Sequence, residues 1–372
     1  MTLSILKKEI VDLYSTPIIQ QTSFWSMVKK NQGVESSAFD VNARNRDLYS
    51  NVGGYSCTQA DFVMFLRYLN NKDCVAYVPY GPEVEPSEEN QGRFLEELSE
   101  ILRSYLPKDC IAIRYDLNWE SHWSKESDFN ENGEWIGAPD KKYQEFKLNY
   151  GTNNWNLVKS NTDILPSNTI ILNLEGSYED ILNRMKPKTR YNIGLAHRKG
   201  IDVRTMSFKD LDQWYNLYLT TATRNGLHIN ELIYFQSVMK AKLENEDLPV
   251  KVKMLIAYLD NQPLAAMFLV LSSHRATYLY GASSNEKRNY MSTYALQWRA
   301  IEIAKANGCT EYDMFGISPN AEPSHPMYGL YKFKQGFGGE IFHQLGCWDY
   351  PLIDDKYSLL QAIEMNDRGY YV

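Results

Sequence analysis

The chemistry legible in this chain is carried by cations. Between Arg184 and Lys199 lie Arg184, Lys186, Lys188, Arg190, Arg198 and Lys199, with no acidic residue among them. Such a run is either a solvated helix face or a track for RNA phosphates, each neutralised phosphate adding salt-dependent affinity. A second basic point is KFKQGFGG (332–339). Read as a strand, it puts Lys332 and Lys334 on one face and Phe333 on the other. Gly336, Gly338 and Gly339 then allow a tight loop and close backbone approach. The plain alternative is two surface lysines on an edge strand. Asp116 closes the segment CIAIRYD and is a candidate base, although strand ends often carry Asp for solvation. The six His are scattered without partners at informative spacing, so neither a Ser-His-Asp nor a Cys-His grouping is indicated.

The elements that must position these groups read as two α/β halves. Residues 3–14 suggest a short helix ended by Pro17, and Gln21–Lys30 a second helix burying Phe24 and Trp25. Residues 38–69 read as strands around the turn-rich 51–55. Strand 74–80, helix 92–106 and strand 110–116 follow, and the polar stretch 117–168 reads as a connecting excursion. A strand at 170–174 opens the second half. Helix 178–186 is interrupted by Pro187 and resumes over 191–199, and helices 208–226 and 231–245 come next. Strands 252–259 and 264–271 form a hairpin through the turn Asp260-Asn261-Gln262-Pro263. Strand 276–281, helix 292–307 closed by Gly308, and strand 311–316 complete a crossover, whose two strands must run parallel. KFKQGFGG ends that unit.

The order strand 74–80, helix, strand 110–116 repeats that of 276–316. A hairpin feeding a crossover is the layout of the GCN5-like acetyltransferase (GNAT) fold. The expectation is therefore an α/β (α+β) protein of two tandem GNAT-like domains with a cleft between them. The first covers 1–165, with 346–372 packing back on it, and the second 166–345.

Composition agrees with that scale. At 372 residues the chain exceeds the roughly 250–300 at which single cores stop growing. A net charge of −7 argues against a general nucleic-acid binder but leaves room for one local basic path. Tyr, at 27, outnumbers Phe (14) and Trp (8) together, which suits either a large polar ligand or cores finished with Tyr. No run approaches the roughly 18 apolar residues of a membrane span. MTLSILKKEIVDLYSTP lacks a signal-peptide core, so a cytoplasmic protein is expected. Cys57, Cys74, Cys110, Cys309 and Cys347 are odd in number and form no CxxC pair. They read as reduced, partly buried thiols, supporting neither a zinc site nor a disulfide framework.

In coenzyme A-dependent members of the GNAT fold, the turn before the crossover helix reads R/Q-x-x-G-x-G/A, and its amides cradle a pyrophosphate. Here that stretch is Arg288-Asn289-Tyr290-Met291-Ser292-Thr293. Met291 would crowd a diphosphate where Gly lets the backbone approach. An acyl-coenzyme A donor is therefore disfavoured, and the bland reading is a helix start capped by Ser292.

Several runs together resemble the Fem family of aminoacyl-tRNA-dependent peptidoglycan bridge transferases. They are QTSFWSMVKK (21–30), KTRYNIGLAHRKGI (188–201), TYLYGASS (277–284), AIEIAKANGC (300–309), YDMFGI (312–317) and GLYKFKQGFGG (329–339). Singly they are weak; in this order they cover nearly the whole chain. The resemblance implies transfer of an amino acid from its tRNA ester to the stem-peptide amine of a UDP- or lipid-linked muramyl-peptide precursor. No metal or cofactor is implied, aminoacyl-tRNA being a co-substrate, and membrane contact would be peripheral. It implies that Phe333 and Lys334 hold the acceptor end of the charged tRNA, Lys334 stabilising the reacting ester. Lys332, Lys188, Arg190, Arg198 and Lys199 would serve tRNA binding. Lys29 and Arg224 suit the precursor diphosphate, with His228 four residues after Arg224. Tyr280 matches a ligand-contacting tyrosine, and Tyr77 and Tyr80 would line the same groove. Tyr80 stands before Gly81-Pro82, where many relatives carry Arg. The rival readings are an acyl-coenzyme A-dependent N-acyltransferase and a non-catalytic module binding precursor or RNA.

Overall fold

A computed structural model describes every residue except 51, 126–134, 136, 227–228, 245–248 and 366–372. The chain forms two compact units. The first comprises Met1–Tyr14, Gln20–Ser167 and the chain from His343 onward; the second comprises Ser15–Ile19 and Asn168–Phe342.

The first unit opens with β1 (Leu3–Lys8), α1 (Ser23–Asn31), β2 (Glu35–Arg44), α2 (Asn45–Leu48), β3 (Cys57–Tyr68) and β4 (Cys74–Val78). It continues with α3 (Glu88–Leu102), β5 (Cys110–Glu120), α4 (Lys141–Asn149) and β6 (Val158–Lys159). Strands β1 to β4 pair antiparallel in chain order, and β4 pairs parallel with β5. Helix α3 bridges that parallel step because its apolar stripe, Phe94, Leu95, Leu98 and Leu102, is fully buried. Two expectations are corrected here. Residues 3–14 begin as a strand: β1 bonds along β2 from Leu3↔Ala43 to Lys8↔Ala38, and sheet pairing overrides a weak local helical preference. Residues 117–168 are no mere excursion, since β5 runs on through Glu120 and α4 and β6 follow.

The second unit contains β7 (Asn168–Asn173), α5 (Tyr178–Arg184), α6 (Pro187–Arg198), β8 (Asp202–Met206), α7 (Leu211–Asn225) and α8 (Leu232–Glu244). After these come β9 (Lys251–Leu259), β10 (Gln262–Ser272), β11 (Arg275–Ser283), α9 (Ser292–Ala306), β12 (Glu311–Asp313) and α10 (Tyr328–Gln335). Strands β8 to β11 pair antiparallel in order, β11 is parallel to β12, and β12 is antiparallel to β7. The β9–β10 turn places both Asp260 and Asn261 at positive φ, as a two-residue hairpin turn requires. Both units thus carry antiparallel strands into a helix-bridged parallel step, the GCN5-like layout.

Several boundaries differ from the sequence reading. Helix α6 starts at Pro187, which occupies its first turn and presets φ there, instead of resuming at Tyr191. Ser292 makes no side-chain cap; Met291 occupies that position at φ 58. Strand β12 ends at Asp313, because the chain turns left-handed at Phe315. KFKQGFGG does not begin as a strand, since Tyr328–Gln335 is helical. Lys332 and Lys334 are therefore about 200° apart around a helix, on nearly opposite faces. Lys332 is exposed and Lys334 is buried.

The last strand, β13 (Glu340–Pro351), pairs antiparallel with β5 and β6 through its residues from Gln344 onward. Helix α11 (Asp354–Glu364) then buries Tyr357 and Leu360 against Val75, Ile111 and Ala112. Among the five cysteines, Cys57 is exposed and the other four are buried free thiols.

Candidate active site

The second unit seats Lys334 deliberately. Helix α10 turns Tyr331 and Lys334 inward. Lys334 Nζ donates to the carbonyls of Phe315 (3.0 Å) and Gly316 (2.7 Å) and lies 5.4 Å from the centre of the Tyr278 ring. Burial, opposed by the charge of Asp313, pulls its pKa down to about 7. Phe333 faces elsewhere, packing edge-on against Tyr294 (5.0 Å) and Phe337 (5.3 Å). Lys332 reaches over Tyr328 and Tyr331.

The α5–α6 junction abuts this helix. Lys186 donates its backbone N–H to Gly336 O (2.9 Å) and its ammonium to Gln335 Oε1 (2.7 Å). A side chain at Gly336 would collide with Thr189 Oγ1, and one at Gly338, where φ is +79, with the carbonyl of Arg184. The glycines of the run are thus explained by close approach of backbone.

Much of the basic run is engaged locally. Arg190 Nη1 donates to Met185 O (2.5 Å), and Arg184 Nη2 to Asn173 O and Glu175 O. Lys199 donates to Asn289 O (3.0 Å) and sits over the Tyr290 ring. Lys188 and Arg198 are exposed, the latter beside the ring of Tyr191.

Arg224, in the last turn of α7, donates to Ser283 O (3.0 Å), Ser283 Oγ (3.1 Å) and Asn285 Oδ1 (2.6 Å), which ties it to the end of β11. Burial, then the charge of Arg288, lowers its pKa. Tyr280 on β11 shares a 2.6 Å hydrogen bond with the hydroxyl of Tyr234 and packs edge-on against Phe235 and Phe268. His228 lies outside the described residues.

Lys29, Tyr77 and Tyr80 belong to the first unit. Lys29 Nζ donates to Gln32 Oε1 (3.1 Å) near the Trp25 ring, and burial, then Arg67, brings its pKa to about 8. Tyr77 donates to Asp116 Oδ2 (2.9 Å), and Tyr80, at φ 46, donates to Pro166 O (2.5 Å). Asp116 is fully buried; burial first, then Asp163, raises its pKa to about 7.

Within the second unit the fold therefore brings Lys334, Phe333 and the head of the basic run together. The sequence reading missed the carbonyl seat of Phe315 and Gly316, with Asp313 and Tyr278 around it. One signal was available: Tyr331, Lys334 and Phe337 recur every third residue, the spacing of a buried helical stripe.

Two acetyltransferase-like units, the second built around a buried lysine, define the class by fold. The chain belongs to the FemAB family, whose profile matches residues 11–261 and 244–365. A lipid II:glycine glycyltransferase of Staphylococcus haemolyticus is 22% identical over 261 residues, covering 54% of this chain and 62% of that protein. One from Staphylococcus aureus is 22% identical over 263 residues, with the same coverage. The chain thus spans less than two thirds of the length of these curated relatives. The crystal structure of FemX superposes with a TM-score of 0.67 at 17% identity, over 95% of this chain and 96% of FemX, a likeness of fold.

Proposed function

We propose that this chain is an aminoacyltransferase that moves an aminoacyl group from the ester of its tRNA to the stem-peptide amine of a muramyl-peptide precursor. The amine nitrogen attacks the ester carbon, giving a tetrahedral oxyanion. The C–O bond to the ribose then breaks, and the proton lost by the amine ends on the departing ribose oxygen. The carrying observation is Lys334: two of its three N–H groups are held by the carbonyls of Phe315 and Gly316. Among the described residues the third has no acceptor and would meet the oxyanion, an interaction that strengthens as charge develops and contributes about 3 kcal/mol. Because the donor ester is already activated, orientation supplies much of the remaining rate.

Phe333, half-buried beside Tyr294 and Phe337, offers its ring to a terminal base, and the exposed Lys188, Arg198 and Lys332 meet phosphates. Precursor contacts are proposed in each unit separately: Lys29, Tyr77 and Tyr80 in the first, and Arg224 and Tyr280 in the second, the two cations suiting phosphate. Met291 supports an ester donor over a coenzyme A thioester: at φ 58 it occupies the turn where a pyrophosphate would need bare backbone. Among the described residues no helix is long and apolar enough to cross a membrane, and a cytoplasmic enzyme touching lipid only peripherally fits the reading. The relatives' names put glycine and a lipid-linked acceptor first among the substrates to assay.

The test is transfer from a panel of charged tRNAs to purified lipid-linked and UDP-linked precursors, read by mass. Wild-type protein should add amino acid to one of them, and Lys334→Met should slow this about a hundredfold. Absence of transfer to either precursor from every charged tRNA overturns the assignment.

A further inference from the structure

Lys334 is held by main-chain carbonyls, so something must fix the main chain. Strand β12 ends at Asp313, and the pairing with β7 is interrupted beyond Met314. Met314 N–H donates to Ile170 O (2.9 Å) and Ile317 N–H to Asn168 O (3.0 Å), both on β7. Phe315 and Gly316 lie between these two bonds, two residues set against Thr169 alone. Phe315 takes φ 60, a left-handed conformation that costs a residue with a Cβ of order 1–3 kcal/mol. It persists only if its surroundings over-determine it. They do: Phe315 N–H donates to Asp313 Oδ1 (2.8 Å), and the buried hydroxyl of Thr169 donates to the same oxygen. One carboxylate oxygen thus ties β7 to the turn.

We propose that Asp313 and Thr169 are positioning residues for Lys334: Thr169 aims the carboxylate, and the carboxylate locks Phe315 left-handed. The carbonyls of Phe315 and Gly316 then point at the ammonium. This inference rests on the proposed role of Lys334 but can be tested without it. Asp313 also acts through its charge, since among the described residues it is the carboxylate that favours the charged lysine. Two tyrosines lie nearby among the described residues: the ring of Tyr278 on β11 is 5.4 Å from Lys334 Nζ, and Tyr312 on β12 donates its hydroxyl to Gln297 Oε1. Tyr312 is buried and Tyr278 half-buried, and loss of solvent raises both of their pKa values. Geometry and charge therefore come from one side chain, and substitutions can separate them. Asn at 313 keeps an oxygen for Thr169 and Phe315 but loses the charge; Ala loses both. Val at 169 removes the hydroxyl while keeping the shape.

The experiment is NMR titration of the Lys334 ε-carbon in the full chain labelled at lysine, the signal being assigned by its loss in Lys334→Met. Amide exchange at Phe315 is followed in parallel. Asp313→Asn should lower the lysine midpoint by about one pH unit or more, as expected for removing a nearby opposite charge, with Phe315 still protected. Thr169→Val should leave the charge in place and speed Phe315 exchange at least tenfold. Asp313→Ala should show both changes if it folds; the other two variants decide the matter if it does not. A midpoint unmoved in Asp313→Asn, or a Phe315 amide unmoved in Thr169→Val, overturns the proposal. No substrate enters these measurements. If the lysine responds but no transfer is found, the enzyme reading alone fails; if transfer is found and the lysine does not respond, this inference alone fails.

Discussion

Arg190 Nη1 donates to the carbonyl of Met185 at 2.5 Å, so a side chain from α6 satisfies the C-terminal end of α5. Helix ends leave carbonyls without intrahelical partners, and a guanidinium is well suited to take one. The same residue was a candidate phosphate contact, and the two roles compete for one guanidinium.

The basic run should accordingly divide when its members are replaced singly. Arg190→Met should cost about 1.5–3 kcal/mol of stability, the range for a hydrogen bond from a charged donor. Lys188→Ala and Arg198→Ala should stay within about 0.5 kcal/mol of wild type, as exposed substitutions do. These two should instead weaken tRNA binding and lower the salt slope by about 0.7–0.9 per residue. Denaturant unfolding together with binding at several salt concentrations checks both halves. If Lys188 and Arg198 leave the slope unchanged, they are a solvated helix face.

The crossover elements were legible because their signals are local and redundant. The stripe of α3, the Asp260-Asn261 turn and Gly308 after α9 each announce themselves within a few residues. The fate of KFKQGFGG was not legible from alternation of cation and aromatic alone. Period two and period three both fit so short a run, and burial of Tyr331 and Lys334 goes with the helix. The edge strand β1 failed for a related reason, since its partner, Ala38–Ala43, is remote in sequence. The seat of Lys334 was hidden further still. It is made of main-chain carbonyls, which every residue carries, and only the left-handed turn at Phe315 singles out two of them.

Lys334 should also cost the fold stability in a way that depends on pH. Its folded pKa is lowered, from 10.5 to about 7, because burial disfavours the ammonium. Between those values the unfolded chain binds the proton and the folded chain does not, so stability rises with pH across the window and is lost as pH falls through about 7. The gain between pH 7 and 9.5 should be on the order of 3 kcal/mol. Lys334→Met should lack this component, so that the difference between the two proteins narrows or reverses as pH rises. Unfolding free energies at the two pH values measure it. Parallel pH profiles would show that the lysine titrates normally.

In the first unit, Arg114 pairs bidentately with Asp349 (2.6 and 2.7 Å) and also with Glu364 (2.7 and 2.8 Å). Asp349 accepts from Tyr357 as well, at 2.9 Å. Three elements, β5, β13 and α11, thus meet on one guanidinium. Removing it by Arg114→Met leaves Asp349, 1% exposed, without its countercharge, which should cost about 3–5 kcal/mol in urea unfolding. Adding Asp349→Leu should restore part of that loss, because apolar replacement of a whole buried pair is often close to neutral. A double variant no more stable than the single would show that packing, not the stranded charge, sets the cost.

Asp116 offers the last test, because burial and catalysis predict opposite phenotypes for it. Its Oδ2 accepts from Tyr77 (2.9 Å) and from the backbone N–H of Leu165 (2.9 Å), and Cys347 is its partner across the β5–β13 pair. Burial first, then the charge of Asp163, raises its pKa from 3.8 to about 7. The folded chain therefore holds this proton where the unfolded chain has released it. Stability from this group is fully present below about 3.8 and is lost as pH rises through about 7. The loss should be on the order of 4 kcal/mol over that window. Asn keeps an oxygen for the two donors and cannot ionise, so Asp116→Asn should flatten this part of the profile and gain on wild type above pH 7. If the carboxyl is the anchor these contacts describe, the variant should retain transfer within a few-fold. If instead it takes the proton from the acceptor amine, transfer should fall by about 10²–10⁴, with the stability change still present. Measuring both on one variant separates the two roles, since only the anchor role predicts a more stable protein that still turns over.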